Sequence, residues 1–174
     1  MTSKLALTKR LDGYWKMELG NVVLLPAFMV WMAHYLEYKL GWLTWVSLVP
    51  MCGLLLIGGL YWRAKLRHVQ GQRRSMEKLL PWVHRMQWPF AVSSILVFAL
   101  CLTSWVADNL ALSLGDKMTA SIAAALAVLE YVNYYHRQLQ HFDHAADWKR
   151  LLGGKGFRES QMATDLRRFR QKHR

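Results

Sequence analysis

Polar residues are scarce along four stretches of this chain and crowded between them. Residues 21–36 read NVVLLPAFMVWMAHYL, residues 41–62 read GWLTWVSLVPMCGLLLIGGLYW and residues 89–107 read PFAVSSILVFALCLTSWVA. A fourth run, MTASIAAALAVL, starts at Met118. A helix needs roughly 20 mainly apolar residues to cross a hydrocarbon layer about 30 Å thick. The second and third runs reach that length unaided, whereas the first and fourth must take in Glu37 and Glu130. The pattern predicts an all-α, polytopic integral membrane protein with four transmembrane helices, at about 19–38, 41–62, 89–113 and 118–138.

The links sort these helices into pairs. EYKLG (37–41) and SLGDKM (113–118) are short enough to make each pair an antiparallel hairpin. The hairpins are joined by an interfacial segment, 63–88, which mixes Leu66, Val69, Met76 and Leu79 with basic residues. An extension of the second helix, a break near Gly71 and a separate surface helix anchored by Trp82 and Trp88 are expected there, with Pro89 in the first turn of the third helix. Leu7, Leu11 and Tyr14 lie at helical spacing beside Lys4, Lys9 and Arg10, a pattern for a short amphipathic helix on the inner surface. Neither Gly nor Pro interrupts the chain between Thr119 and Leu152. The fourth helix is therefore expected to continue to 152, beyond the bilayer, closing a membrane domain of 1–152. Residues 153–174 read as a basic amphipathic tail, with Met162, Leu166 and Phe169 on one face.

Charge orients the chain. It carries 23 Lys and Arg against 11 Asp and Glu, a formal net charge of +12. With the N-terminus inside, segments 1–20, 63–88 and 137–174 hold 21 of the 23 cations (4, 7 and 10), leaving Lys39 and Lys117 opposite. That is the positive-inside asymmetry. It predicts N-in/C-in topology, cytoplasmic termini and a bacterial inner (plasma) membrane. Topology accounts for the basic excess without nucleic acid, and no aromatic-interleaved basic motif for RNA is present. Anionic lipid headgroups are the expected partner of the basic surface, beside the bilayer itself.

The fourth helix carries the polar residues most open to a chemical role. Glu130, Asn133, Arg137, Gln140 and His144 follow at spacings of three and four, one stripe on one face, with His136 beside it. A carboxylate within hydrocarbon costs roughly 2.5–3.5 kcal/mol at the helix centre, so Glu130 must face protein or water. It marks either an ion, proton or solute pathway or a polar clamp between helices. A second set, His34, Glu37, Asp108 and Asn109, falls at the outer ends of the first and third helices and would line an outer vestibule. His136, Gln140, Asp143, His144 and Asp147 share a face, but no HExxH pattern accompanies them, so neither a metal nor a cofactor is expected. Cys52 and Cys101 fall mid-helix as small apolar side chains rather than a disulfide.

Catalytic signatures are missing: there is no P-loop and no GxSxG. The expectation is a non-enzymatic, homo-oligomeric channel or permease-type subunit for ions or small solutes. Its fourth helix, rich in Ala, would lie near the axis. The alternative is an accessory or scaffold protein whose basic cytoplasmic surface docks a protein partner or anionic lipid.

Overall fold

A computed structural model of the chain describes residues 2–72, 74–139 and 157–172, without the side chains of residues 2, 3 and 108. Five α-helices account for most of them: α1 (Thr2–Tyr35), α2 (Trp42–Val69), α3 (Arg74–Thr103), α4 (Leu114–Tyr135) and α5 (Gln161–Lys172). The described residues contain no strand, only an isolated antiparallel bridge between Arg137 and Glu159. Three helices are long and apolar enough to cross a membrane: Lys4–Tyr35 within α1, α2 and α3.

α2 is the hub, packing on α1, α3 and α4. Its sequence GLLLIGGL explains how one helix holds three neighbours. A side chain at Gly53 would place its Cβ 2.5 Å from the Phe90 ring of α3; at Gly58, 2.2 Å from the Tyr134 hydroxyl of α4; at Gly59, 2.6 Å from Leu19 of α1. Each glycine seats a different helix so closely that any larger residue would force the neighbouring side chain to shift. Between these contacts Met51, Leu54, Leu55 and Ile57 are buried, and Ala123 and Ala127 of α4 join the same core.

Successive helices reverse direction at alternate ends of the bundle. α1 and α2 both stop with a six-to-one backbone bond across the helix terminus, Tyr38 N–H to Ala33 O (3.0 Å) and Gln72 N–H to Arg67 O (2.9 Å). The residue required in the left-handed region is Gly71 (φ 102°) in the second case, but Glu37 (φ 56°) in the first. A loop of residues 104–113, containing a 3₁₀ turn at Asp108–Leu110, returns the chain to α4, where Ser113 Oγ accepts the Asp116 amide at 3.2 Å as N-cap.

Several expected boundaries change, each for a local reason. The leading amphipathic segment is not separate: α1 runs unbroken into the first apolar run, with Leu11 buried and the Tyr14 ring 5.3 Å from Trp62. Segment 63–88 is not an independent surface helix either. After the turn at Gly71, α3 passes through Pro81 and Pro89 in one piece, so Pro89 stands mid-helix rather than in a first turn. Proline removes one ladder bond, which packed membrane-type helices tolerate. The third helix ends at Thr103 instead of 113, and α4 begins at Leu114 because Ser113 caps it.

The fourth helix ends at Tyr135, short of both 138 and 152. Helix termini leave carbonyls without partners, and here a distant segment takes them. Ser160 Oγ donates to Tyr134 O, Ser160 N–H donates to His136 O (3.1 Å) and Gln138 N–H donates to Arg158 O (2.8 Å). Chain pairing outcompetes a further helical turn. Residues 140–156, including the expected continuation to 152, lie outside the described residues. The tail then forms α5, which is not laid flat on a surface: Met162, Ala163 and Leu166 are buried against the bundle.

Candidate functional site

Buried polar side chains gather at two levels of the bundle. Near the α1–α2 turn, Asp116 is fully buried. Its Oδ1 accepts the Gly41 amide (2.8 Å) and the Thr44 hydroxyl (2.6 Å), and its Oδ2 accepts the Leu112 amide (3.0 Å). A Cβ on Gly41 would fall 2.4 Å from that second oxygen. Tyr38 completes the tie: its hydroxyl is 2.7 Å from Thr119 Oγ1 while its ring lies over Gly115. A carboxylate with three donors converging on it from three segments is a structural clasp.

At the other level, α1, α2 and α4 meet around Gly58 and Gly59. Glu18 of α1 is 1% exposed and Glu130 of α4 is 6% exposed, although both are acids. Both acids lie near the Tyr134 hydroxyl, which rests on Gly58. Asn133 donates from Nδ2 to Glu130 Oε2 at 3.3 Å, and its Oδ1 accepts the Leu139 amide at 2.8 Å. It thus links the acid to the turn that ends α4. A cavity of about 20 Å³ lies beside it, lined by Asn133, Tyr134, Tyr61 and Ser160 among others. That is room for about one water molecule, not a conduit.

The predicted stripe is therefore split. Glu130 and Asn133 are brought together and buried, whereas Arg137 lies past the helix end, exposed, donating from Nη1 to Phe157 O at 3.1 Å. His136 is exposed at the C-cap. Gln140, His144 and the remaining members of the histidine–aspartate face lie outside the described residues. Among the described residues no group of three or more His, Cys, Asp or Glu is placed to hold a metal ion. At the outer end, His34, Glu37 and Asn109 are exposed, and the Asp108 side chain is not described. Glu37 is a turn residue and Asp108 and Asn109 form the 3₁₀ turn, so local backbone geometry accounts for their positions. Cys52 and Cys101 are free thiols.

Sequence reasoning passed over two of the acids that are buried. Asp116 was legible: Ser113-x-x-Asp116 ahead of an apolar run is a helix-capping pattern. Glu18 carried no such signal, standing in a charged stretch before the first apolar run. Only the crossing of α1 over Gly59 buries it.

The third concentration of polarity is the basic end of the bundle. Asp165 of α5 accepts from the Tyr61 hydroxyl (2.7 Å) and from Lys65 Nζ (2.5 Å). These bonds, with Met162 and Leu166 in the core, lock α5 beneath α2 and α4. Arg168, Arg170 and Lys172 remain exposed, the first and last at the rim of a hollow that also holds Asp165. Comparison with protein-family models, with curated proteins and with solved structures finds no match for this chain.

Proposed function

We propose that this protein is a four-span integral membrane protein, both termini inside, that acts as a non-catalytic docking platform. Its basic inner face receives an acidic segment of a partner protein. The membrane part rests on a belt of exposed apolar side chains: Val23 (70% exposed), Leu24 (63%), Ile95 (62%) and Ile122 (52%) lie on α1, α3 and α4. An apolar belt of this extent is at home in lipid and not in water. α4 supplies the fourth span. Its 22 residues reach about 33 Å, and it runs from the Gly41 clasp to the Tyr135 hydroxyl bond with Val83 O (3.1 Å), beside α2 throughout. An even number of spans returns the basic segments 1–20, 63–88 and 137–174 to one side.

One observation carries the docking function: the only acid of α5, Asp165, is tied to Tyr61 and Lys65 of α2, while Arg168, Arg170 and Lys172 stay exposed and make no ion pair among the described residues. Charge-complementary faces of this kind steer and select partners. Replacing Arg168, Arg170 and Lys172 together by Glu is expected to abolish co-purification of a partner from native membranes while the chain stays folded in detergent. A partner retained by that variant contradicts the proposal. The topology is checked separately, with single cysteines at Lys39 and Lys172 and an impermeant thiol reagent on sealed vesicles. The two sites label from opposite sides if the proposal holds.

The transport reading retains one supporting observation, the meeting of Glu18 and Glu130 at Tyr134. Against it, the Ala120, Ala123, Ala124 and Ala127 face of α4 is already buried within the single chain. An axis-lining role for α4 in a homo-oligomer would have to draw on its bulkier outer face. Ion flux into liposomes that disappears in Glu130→Gln decides for transport; flux no greater than in empty liposomes, with a less stable Glu130→Gln protein, decides for the clamp.

A further inference from the structure

A groove of about 560 Å³ opens between the last turns of α2 and the first turns of α3. Arg63 and Arg67 line it from α2, and Arg74, Ser75, Lys78 and Trp82 from α3. The spacing is regular. Arg63 and Arg67 are four apart, as are Arg74, Lys78 and Trp82, so each helix presents one row to the groove. No carboxylate lines it, and none of its four cations makes an ion pair among the described residues. Arg63 is held from α1 as well, its guanidinium 5.4 Å from the Trp15 ring centroid. A neighbouring hollow of about 270 Å³, bounded by Lys65, His68, Arg168 and Lys172, differs in containing Glu77 and Asp165, which neutralise part of its charge.

Four like charges in one groove repel each other until an anion enters. The depth of the groove identifies the anion. Arg63 follows directly on the apolar run that ends at Trp62, and Trp82, 39% exposed, stands at its rim. Both features mark the level where hydrocarbon gives way to headgroups. Leu60, Ala64 and Leu79 add apolar surface to the same lining.

We infer that the α2–α3 groove is a binding site for the headgroup of an anionic phospholipid. The guanidinium groups of Arg63, Arg67 and Arg74 supply paired N–H donors to phosphate oxygens, and Lys78 and the Ser75 hydroxyl add single donors. The glycerol and upper acyl carbons lie on Leu79 and Trp82. Four cations are more than one phosphate needs, so a headgroup with two phosphates binds better than one with a single phosphate. The inference rests on the membrane reading above but not on the partner-docking function of α5, since the groove and the α5 face share no residue.

The test uses the full chain in detergent, examined by native mass spectrometry and thermal shift. The lipids are phosphatidylglycerol, the two-phosphate diphosphatidylglycerol and zwitterionic phosphatidylcholine, with inorganic phosphate as the lipid-free arm. Retention in the order two-phosphate, one-phosphate, zwitterionic is expected, with at least tenfold weaker retention of both anionic lipids by R67Q/R74Q/K78Q. These side chains are exposed, so the fold should survive, and unchanged circular dichroism verifies it; the single variant K78Q gives a smaller loss in the same direction. A control that removes equal charge elsewhere, R168Q/R170Q/K172Q, should retain lipid like the parent. Equal loss in that control overturns the site in favour of diffuse attraction. Inorganic phosphate that displaces the lipid at equal concentration overturns the lipid assignment, and so does an acidic peptide that outcompetes it. A chain that stays soluble without detergent refutes the membrane reading itself, whereas a detergent-dependent chain that retains no anionic lipid refutes only the groove.

Discussion

The Asp116 carboxylate accepts the Gly41 amide at 2.8 Å across 75 residues of sequence, so an acid in the first turn of α4 closes the turn between α1 and α2. Its other oxygen holds the Leu112 amide. Asp116→Asn must place an amide N–H₂ against one of these donors, and Asp116→Ala leaves all of them without an acceptor. A stability loss of about 1–3 kcal/mol is expected for Asn and more for Ala. Unfolding in mixed dodecyl sulfate micelles measures both. A loss below about 0.5 kcal/mol for Ala, the range of ordinary surface changes, contradicts the clasp.

Gly58 and Tyr134 form the tightest crossing of α2 and α4. Gly58→Ala is expected to destabilise by about 1–3 kcal/mol or more, because backbone and ring must separate. In a cycle with Tyr134→Ala the two losses should be strongly non-additive, since removing the ring empties the space the new methyl would enter. Additive losses would mean that the crossing is not where the structure puts it.

Glu37 takes the left-handed conformation that Gly71 takes at the equivalent point of α2. Glu37→Gly relieves a side-chain penalty of about 1 kcal/mol and should raise the melting temperature. A vestibule role predicts altered ion flux from the same variant, so measuring both separates the turn from the site.

Asp165 carries the attachment of α5. Asp165→Ala leaves the buried Tyr61 hydroxyl and Lys65 without their acceptor, a loss of about 1–3 kcal/mol. Because Asp165 ties α5 to α2 through Tyr61 and Lys65 only, the effect should be local: faster tryptic cleavage at Arg167 and Arg168, with little change in the bundle. Global unfolding at the same rate as α5 release would show that α5 is integral to the bundle.

Asn133 is expected to matter more than Glu130 for the end of α4. Asn133→Ala removes both the donor to Glu130 and the acceptor for the Leu139 amide, and should speed hydrogen exchange at residues 136–139. Glu130→Gln keeps the link to Leu139 and should leave those amides slow.

Much of this fold was legible because composition along one chain already meets the demands of a bilayer. Long apolar runs, the turn at Gly71 and the basic links followed from local residues alone. The fate of Arg137 was not legible. No Gly or Pro interrupts the chain between Thr119 and Leu152, yet α4 ends at Tyr135, where Ser160, 25 positions beyond it in the chain, bonds the Tyr134 and His136 carbonyls. Glu18 was hidden for a similar reason, since its burial depends on which face of α1 crosses Gly59.

By itself, then, the sequence determined which segments are long and apolar and where along the chain the cations cluster, because hydropathy and charge act residue by residue. Tertiary structure alone decided that α2 is the hub, that Glu18 and Glu130 are both buried near Tyr134, and that the cations of α2 and α3 line one groove. These are relations between distant residues, set by which surfaces come within a few ångströms, and no local preference encodes that distance.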